Sequence, residues 1–238
     1  MAEPYFIVSF DFDGVLAYGL KAKLKYAKEW FGIDLALDQT KEAGFNALMR
    51  KLGKEENYRS LMTPLNEEHI MEFEVPTGCV NVLTELYNQN YRFVVITSRI
   101  DHDYPYALAF IKEKFGDLIQ YVHNTRNESK GAFVSRLKPR VHVDDDLPKL
   151  LQLQEYPVEL VYYRQPENDG TEIGANERSR IWEARSFDEV QIIINRVKNL
   201  HELVCEKENI PNNWSNINRI YSALHSLSSK DMRDLLSE

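Results

Sequence analysis

The sequence predicts an α/β protein with a three-layer α/β/α, Rossmann-like core around a parallel sheet. Three observations predict it. Short apolar runs of strand length recur along the chain, segments with helical spacing separate them, and acidic or hydroxyl side chains follow the ends of the runs. The 238 residues suffice for one such domain with an insertion, or for two small domains. A composition of 43% hydrophobic and 28% charged residues is that of an ordinary globular protein.

The first run, Tyr5 to Phe10, reads as a buried parallel strand. It leads into Asp11-Phe12-Asp13-Gly14-Val15. Beyond Val15 the pattern turns helical: Leu20, Leu24, Ala27 and Phe31 share one helix face. A second helix is expected from Asp38 as its N-cap, with Phe45, Leu48, Met49 and Leu52 inside and Gly53 as its stop. A short third helix is expected after Asn66, carrying Ile70, Met71 and Phe73. Residues 18–74 therefore read as a small all-helical module inserted into a core made of 1–17 and 75–199.

From Pro76 strands and helices alternate. Thr77 suits the cap of a helix bearing Val80, Leu83, Leu86 and Tyr87, and residues 92–97 are a strand. Asp103 is expected to cap a helix opened by Tyr104-Pro105. A strand at 118–122, a helix near 128–137, a strand at 141–143 ending in Asp144-Asp145-Asp146, a helix to about Glu155 and a strand at 158–163 follow. Residues 164–180 read as a loop, 181–184 as a short last strand, and 186–199 as a helix. Residues 200–238 are expected to form a helical C-terminal extension, with a stripe of Ile217, Ile220, Tyr221, Leu224 and Leu227 and a capping box at Ser228 and Asp231. This stripe either packs on the core or offers a face for a protein partner or a homodimer.

Composition narrows the function. A net charge of −8 argues against a broad nucleic-acid surface, so nucleic acid is an unlikely partner. Cys79 and Cys205 have no metal-ligand neighbours at zinc-finger spacing, and Cys79 reads as a small buried hydrophobe. No signal peptide and no membrane helix are expected, which makes a cytoplasmic location the expectation.

The chemistry is expected at the strand ends. In open parallel sheets, ligands bind in the crevice at the carboxyl ends of the strands. Asp11 and Asp13 lie there, and two carboxylates this close suit Mg²⁺, which takes one or two carboxylates, phosphate oxygens and water. Thr97-Ser98, Lys130 and Asp144-Asp145-Asp146 follow in chain order at the same rim. Lys138 competes with Lys130, but it lies at the amino end of the next strand, the wrong end of the sheet.

Together these segments resemble the four motifs of the haloacid dehalogenase superfamily of Mg²⁺-dependent phosphotransferases, over roughly residues 5–199. The first motif is similar to Asp11-Phe12-Asp13-Gly14-Val15-Leu16, the second to Val94-Val95-Ile96-Thr97-Ser98-Arg99, the third to Lys130, and the fourth to Val141-His142-Val143-Asp144-Asp145. The helical insertion matches the cap that many members carry after the first motif. The resemblance implies a phosphatase in which Asp11 attacks phosphorus and becomes an aspartyl-phosphate. Asp13 would serve as general acid and base, and Thr97, Ser98, Arg99 and Lys130 would bind the substrate. Mg²⁺ would be held by Asp11, the Asp13 carbonyl and Asp145, with Asp144 as the alternative to Asp145. In that family, true dehalogenases and P-type ATPases lack an acid at the position of Asp13. A small phosphorylated metabolite is the expected substrate. The Asp144-Asp145 and Thr97-Ser98 pairs are similar to deoxyribonucleotidases, which points toward a nucleotide or sugar phosphate. Two other readings are a polynucleotide-end phosphatase and an interaction protein built around residues 200–238.

Overall fold

The computed structural model describes residues 5–126, 128–174 and 180–226. Its centre is a six-stranded, all-parallel sheet of order β3-β2-β1-β4-β5-β6. The strands are β1 (Phe6–Phe10), β2 (Tyr91–Thr97), β3 (Ile119–Asn124), β4 (Val141–Asp144), β5 (Glu159–Tyr163) and β6 (Ile181–Ala184). The order reverses between β1 and β4, which opens the crevice at their carboxyl ends.

Alternation along the strands fills a core on each face of the sheet. One core takes Val8, Phe10, Phe93, Val95, Val143 and Val161, covered by α4 (Cys79–Asn88), α5 (Tyr104–Phe115) and α8 (Phe187–Lys207). The other takes Ile96, Leu160 and Tyr162, covered by α6 (Lys130–Leu137) and α7 (Leu147–Leu151). β3 lies at the edge, and its Tyr121 is accordingly exposed.

Between β1 and α4 lies the helical insertion, comprising α1 (Leu20–Phe31), α2 (Glu42–Lys51), α3 (Tyr58–Glu67) and two short 3₁₀ turns. Tyr18 and Glu74 exchange both backbone hydrogen bonds, at 2.8 and 3.0 Å, so the chain leaves and returns through one paired point. Phe45, Met49, Leu61 and Leu65 are fully buried within it.

Several helix boundaries differ from expectation: α4 takes Gly78 instead of Thr77 at its N-cap position, and α7 ends at Leu151 instead of about Glu155. The third insertion helix precedes Asn66: Asn57 accepts a hydrogen bond from Arg59 N at the start of α3, and Pro64 sits inside it. Only a 3₁₀ turn, Ile70–Glu72, occupies the expected helix after Asn66. Asp38 lies in another 3₁₀ turn, Leu37–Thr40, and α2 begins at Glu42. Asp103 occupies the N-cap position of α5 without capping it, because its carboxylate is drawn to Asn66. Finally, α8 continues to Lys207 instead of ending near Asn199, since Leu200 and Val204 prolong its buried stripe.

After α8 comes α9 (Ile217–Ser226), whose Ile220 and Leu224 pack on Leu200, Val204 and Ile210. The described part of the C-terminal stripe is thus covered by the chain itself. Leu227, Ser228 and Asp231 lie outside the described residues. Among the described residues, no helix is long and apolar enough to cross a membrane.

Candidate active site

β1 delivers the first carboxylate. Phe10 pairs with Val143, and the next amide, Asp11 N, donates to the Val143 carbonyl at 2.8 Å, which sets Asp11 in the crevice between β1 and β4. Phe12 is fully buried against Phe110, edge to face with ring centroids 5.5 Å apart. With Phe12 turned inward, Asp11 and Asp13 both line a cavity of about 510 Å³ beneath the insertion.

The turn after Asp13 depends on Gly14, whose φ is +77° and where a Cβ would stand 2.4 Å from the Asp145 carboxyl carbon. Gln165 Nε2 donates to the Gly14 carbonyl at 2.8 Å, and Asn168 Nδ2 to the Asp145 carbonyl at 2.9 Å. The segment after β5 thereby fixes both turns relative to each other.

Lys130 opens α6, which Ser129 caps through Ala132 N. Its ammonium lies 3.0 Å from Asp11 Oδ1 and donates to Asp144 Oδ2 at 2.6 Å, with all three side chains buried. Asp144 also accepts from Asp146 N at 2.9 Å and lies 3.4 Å from His142 Nε2. His142 is in turn 2.9 Å from Ser9 Oγ through Nδ1. Asp146 caps α7 through Lys149 N.

Burial opposes ionisation of Asp144, but Lys130 and His142 outweigh it and hold the carboxyl far below the usual range. At Asp11 burial wins over Lys130, and repulsion from Asp144 adds to it, so its carboxyl is pushed up. Asp145 is pushed up to about 7 by burial and by Asp144, with Lys41, 3.6 Å away, acting in the opposite sense. The ligand oxygens of Asp11, Asp144 and Asp145 all fall within 4.8 Å of one another. Carboxylates that repel one another and lack enough donors fit a hard divalent cation such as Mg²⁺. Each Asp144 oxygen already accepts a hydrogen bond, from Lys130 or from the Asp146 amide, whereas Asp145 faces the cavity.

Asp13 is gripped at both oxygens by Arg99, Nε at 3.0 Å and Nη2 at 2.6 Å. Burial opposes its ionisation, yet this guanidinium holds the carboxyl below its ordinary value. Arg99 is itself buried, stacks 4.7 Å from the Phe12 ring and donates from Nη2 to Asn66 Oδ1 at 2.9 Å. Asn66 Nδ2 completes the chain to Asp103 Oδ2 at 2.9 Å. Arg99 thus reaches Asp13 and Asn66 and does not itself line the first cavity.

Thr97 is buried at the end of β2, with Oγ1 3.4 Å from the Arg99 amide. Ser98 is exposed and shares a second cavity, of about 490 Å³, with Lys130 and Lys149. Lys149 lines both cavities. Of the lysines on α1, Lys21, Lys25 and Lys28 pair with Glu74, Glu72 and Asp34 on the outer surface. Lys23 alone of the four lines the first cavity.

Sequence reasoning missed Ser9, Asn66, Lys41 and Lys149. Ser9 and His142 are 133 positions apart, so only the parallel pairing of β1 and β4 reveals them as a unit. Helical spacing around Leu61 and Leu65, behind the Asn57 cap, would have placed Asn66 at the end of a helix instead of before one.

No protein-family model matches the sequence, and no curated sequence matches it at a significant level. Solved structures do match the fold. The proposed HAD-hydrolase YfnB from Bacillus subtilis, bound to magnesium, aligns with a TM-score of 0.55 at 15% identity, over 81% of this chain and 100% of that one. The L-2-haloacid dehalogenase RSc1362 aligns with a TM-score of 0.60 at 11% identity, over 81% of this chain and 99% of that one. A proposed phosphatase from Clostridium difficile gives a TM-score of 0.53 at 16% identity, over 81% and 100% of the two chains. With its parallel sheet, its helical insertion after β1 and its rim of acids, the chain has the fold of the haloacid dehalogenase-like hydrolases.

Proposed function

We propose that the protein is a Mg²⁺-dependent phosphatase that hydrolyses a small phosphomonoester through an aspartyl-phosphate on Asp11. The observation that carries this reading is the pairing, in one cavity of about 510 Å³, of a Lys130-backed Asp11 with a second, Arg99-held carboxylate at Asp13. A haloacid dehalogenase has no use for that second acid; a phosphatase needs it to handle the leaving-group proton. The shared fold with dehalogenases therefore does not decide the chemistry.

An Asp11 oxygen attacks phosphorus, and the bond to the leaving alkoxide breaks as the acyl phosphate forms. Asp13 gives its proton to the leaving oxygen. It then takes a proton from the water that attacks the acyl phosphate, which returns Asp11 and releases phosphate. Arg99 keeps the resting Asp13 ionised, the form that accepts a proton. The approaching phosphate anion raises the Asp13 pKa and loads it for the first step. Lys130, whose pKa is raised by Asp11 and Asp144 against the effect of burial, stays charged and neutralises the phosphoryl oxygens, and Thr97 and Ser98 hydrogen-bond them. Asp11, Asp145 and the Asp13 carbonyl would hold Mg²⁺, with Asp144 supporting Lys130. Bound there, the ion would screen the repulsion between the nucleophile and the anionic substrate. Lys23 and Lys41, both from the insertion, line the rest of the cavity and favour a substrate with further polar or anionic groups.

Acid quenching during turnover, followed by mass spectrometry, locates the intermediate. Phosphate on Asp11 is the expected result. Turnover without a phosphorylated Asp11, or with the label on another residue, overturns the mechanism.

A further inference from the structure

We propose a second divalent-cation site, of the zinc class, formed by Glu67, His102 and Asp103 where the insertion meets the loop between β2 and α5. Glu67 ends α3, and His102 and Asp103 directly precede α5. His102 Nδ1 lies 3.0 Å from Glu67 Oε1 and 3.7 Å from Asp103 Oδ1, and the three ligand atoms lie within 4.8 Å of one another. Ligands roughly 2.0–2.2 Å from a tetrahedral zinc ion stand about 3.3–3.6 Å apart, a separation that lies between the two distances from His102.

A separate observation points to a missing ligand. Asp103 is only 6% exposed, and its Oδ1 is buried without a hydrogen-bond partner, as is Glu67 Oε1. The other oxygen, Asp103 Oδ2, is taken by Asn66, and the side chain does not cap α5. Among the described residues, His102 supplies the nitrogen within ion-pair distance of these two carboxylates; Arg99 forms its ion pair with Asp13 through Nε and Nη2 and does not reach either of them. One proton on Nδ1 can serve one oxygen and leaves the other unpaired, which is costly when buried. A divalent cation satisfies both carboxylates and the imidazole together, and imidazole with carboxylate is a donor set that zinc accepts. His102 is exposed on its outer side, which gives the ion a path in and leaves room for water as a fourth ligand.

An ion there ties α3 to the core beside Asn66, the residue that links Arg99 to Asp103. It would hold the insertion down over the cavity. The site is distinct from the Asp11, Asp144 and Asp145 cluster, and it does not depend on the phosphatase reading.

The test is calorimetric titration of the full chain with Zn²⁺ alone, in an Asp145→Asn background that disables the first cluster. His102→Gln and Asp103→Asn are then added singly, with circular dichroism to verify folding. The expected result is one equivalent bound in Asp145→Asn, and an affinity at least about tenfold weaker with either added change. Zn²⁺ should also slow proteolysis within residues 18–74 only where His102 and Asp103 are both present. Equal zinc binding with and without His102, or no bound zinc in the Asp145→Asn protein, overturns the proposal. The exposed His102→Gln decides alone if Asp103→Asn does not fold.

Discussion

At Gly14 the absence of one methyl group makes room for a carboxylate. Gly14→Ala combines a positive φ with a Cβ placed 2.4 Å from the Asp145 carboxyl carbon, so Asp145 must move. The expected cost is about 1–3 kcal/mol of stability together with weaker Mg²⁺ binding, read by thermal unfolding and metal titration. Unchanged metal affinity would contradict the placement of Asp145 in the cation site. Arg99 supports a second residue-level expectation. It is the nearest of the cations that hold the Asp13 carboxyl down, so Arg99→Met raises that pKa even though Lys23 and Lys149 remain. The ionised, proton-accepting form is then lost at a higher pH, and the acidic limb of the kcat profile moves upward. A limb that stays in place would separate Asp13 from the proton-accepting step. Asp11, Asp13 and Lys130 were legible in the sequence because each sits at a fixed offset from a strand or helix start. Asn66, Lys41 and His142 were not, since nothing local marks them and their partners lie tens to more than a hundred positions away.

At the scale of elements, α3 was the hardest to read. Pro64 interrupts its pattern and suggests a helix boundary, but with Asn57 to start the helix and Leu61 and Leu65 to bury, the chain tolerates the lost amide. The strands were easier because buried parallel strands are nearly continuous apolar runs. On α1, Lys23 is the residue to test for substrate binding: Lys23→Met should raise KM several-fold with little change in kcat, whereas Lys21→Met on the paired outer face should change neither. On α8, His201 is 2% exposed, both ring nitrogens lack partners, and burial followed by repulsion from Arg140 pushes its pKa down to about 3. The folded state keeps it neutral, while the unfolded chain binds a proton below about 6.5. The unfolded state therefore holds more protons between these values, and stability falls by about 1.4 kcal/mol per pH unit as pH drops through that window. His201→Leu should remove this loss, so its unfolding free energy should exceed that of the wild type at pH 5 by more than at pH 8. An equal difference at both pH values would contradict the buried, neutral imidazole.

The whole molecule is one parallel sheet whose order reverses at the acidic crevice, with an insertion above and a C-terminal helix pair closing the far side. The sheet was readable from alternating runs, but its strand order was not, because order depends on where each crossover returns. The length of α8 was also misjudged, since the polar residues after Asn199 hide a stripe that only α9 explains. Ending the chain after Lys207 uncovers Leu200 and Val204 and removes the 2.9 Å contact between His225 and Glu159. A lower Tm and new binding of an apolar dye are expected, and unchanged values would mean that α9 is not part of the core. The most direct test of the account is phosphate release from a panel of phosphomonoesters, with and without Mg²⁺, by the wild type and Asp11→Asn. The expected result is Mg²⁺-dependent release by the wild type and none by Asp11→Asn. No release by folded wild type on any ester, or equal release by Asp11→Asn, would contradict it.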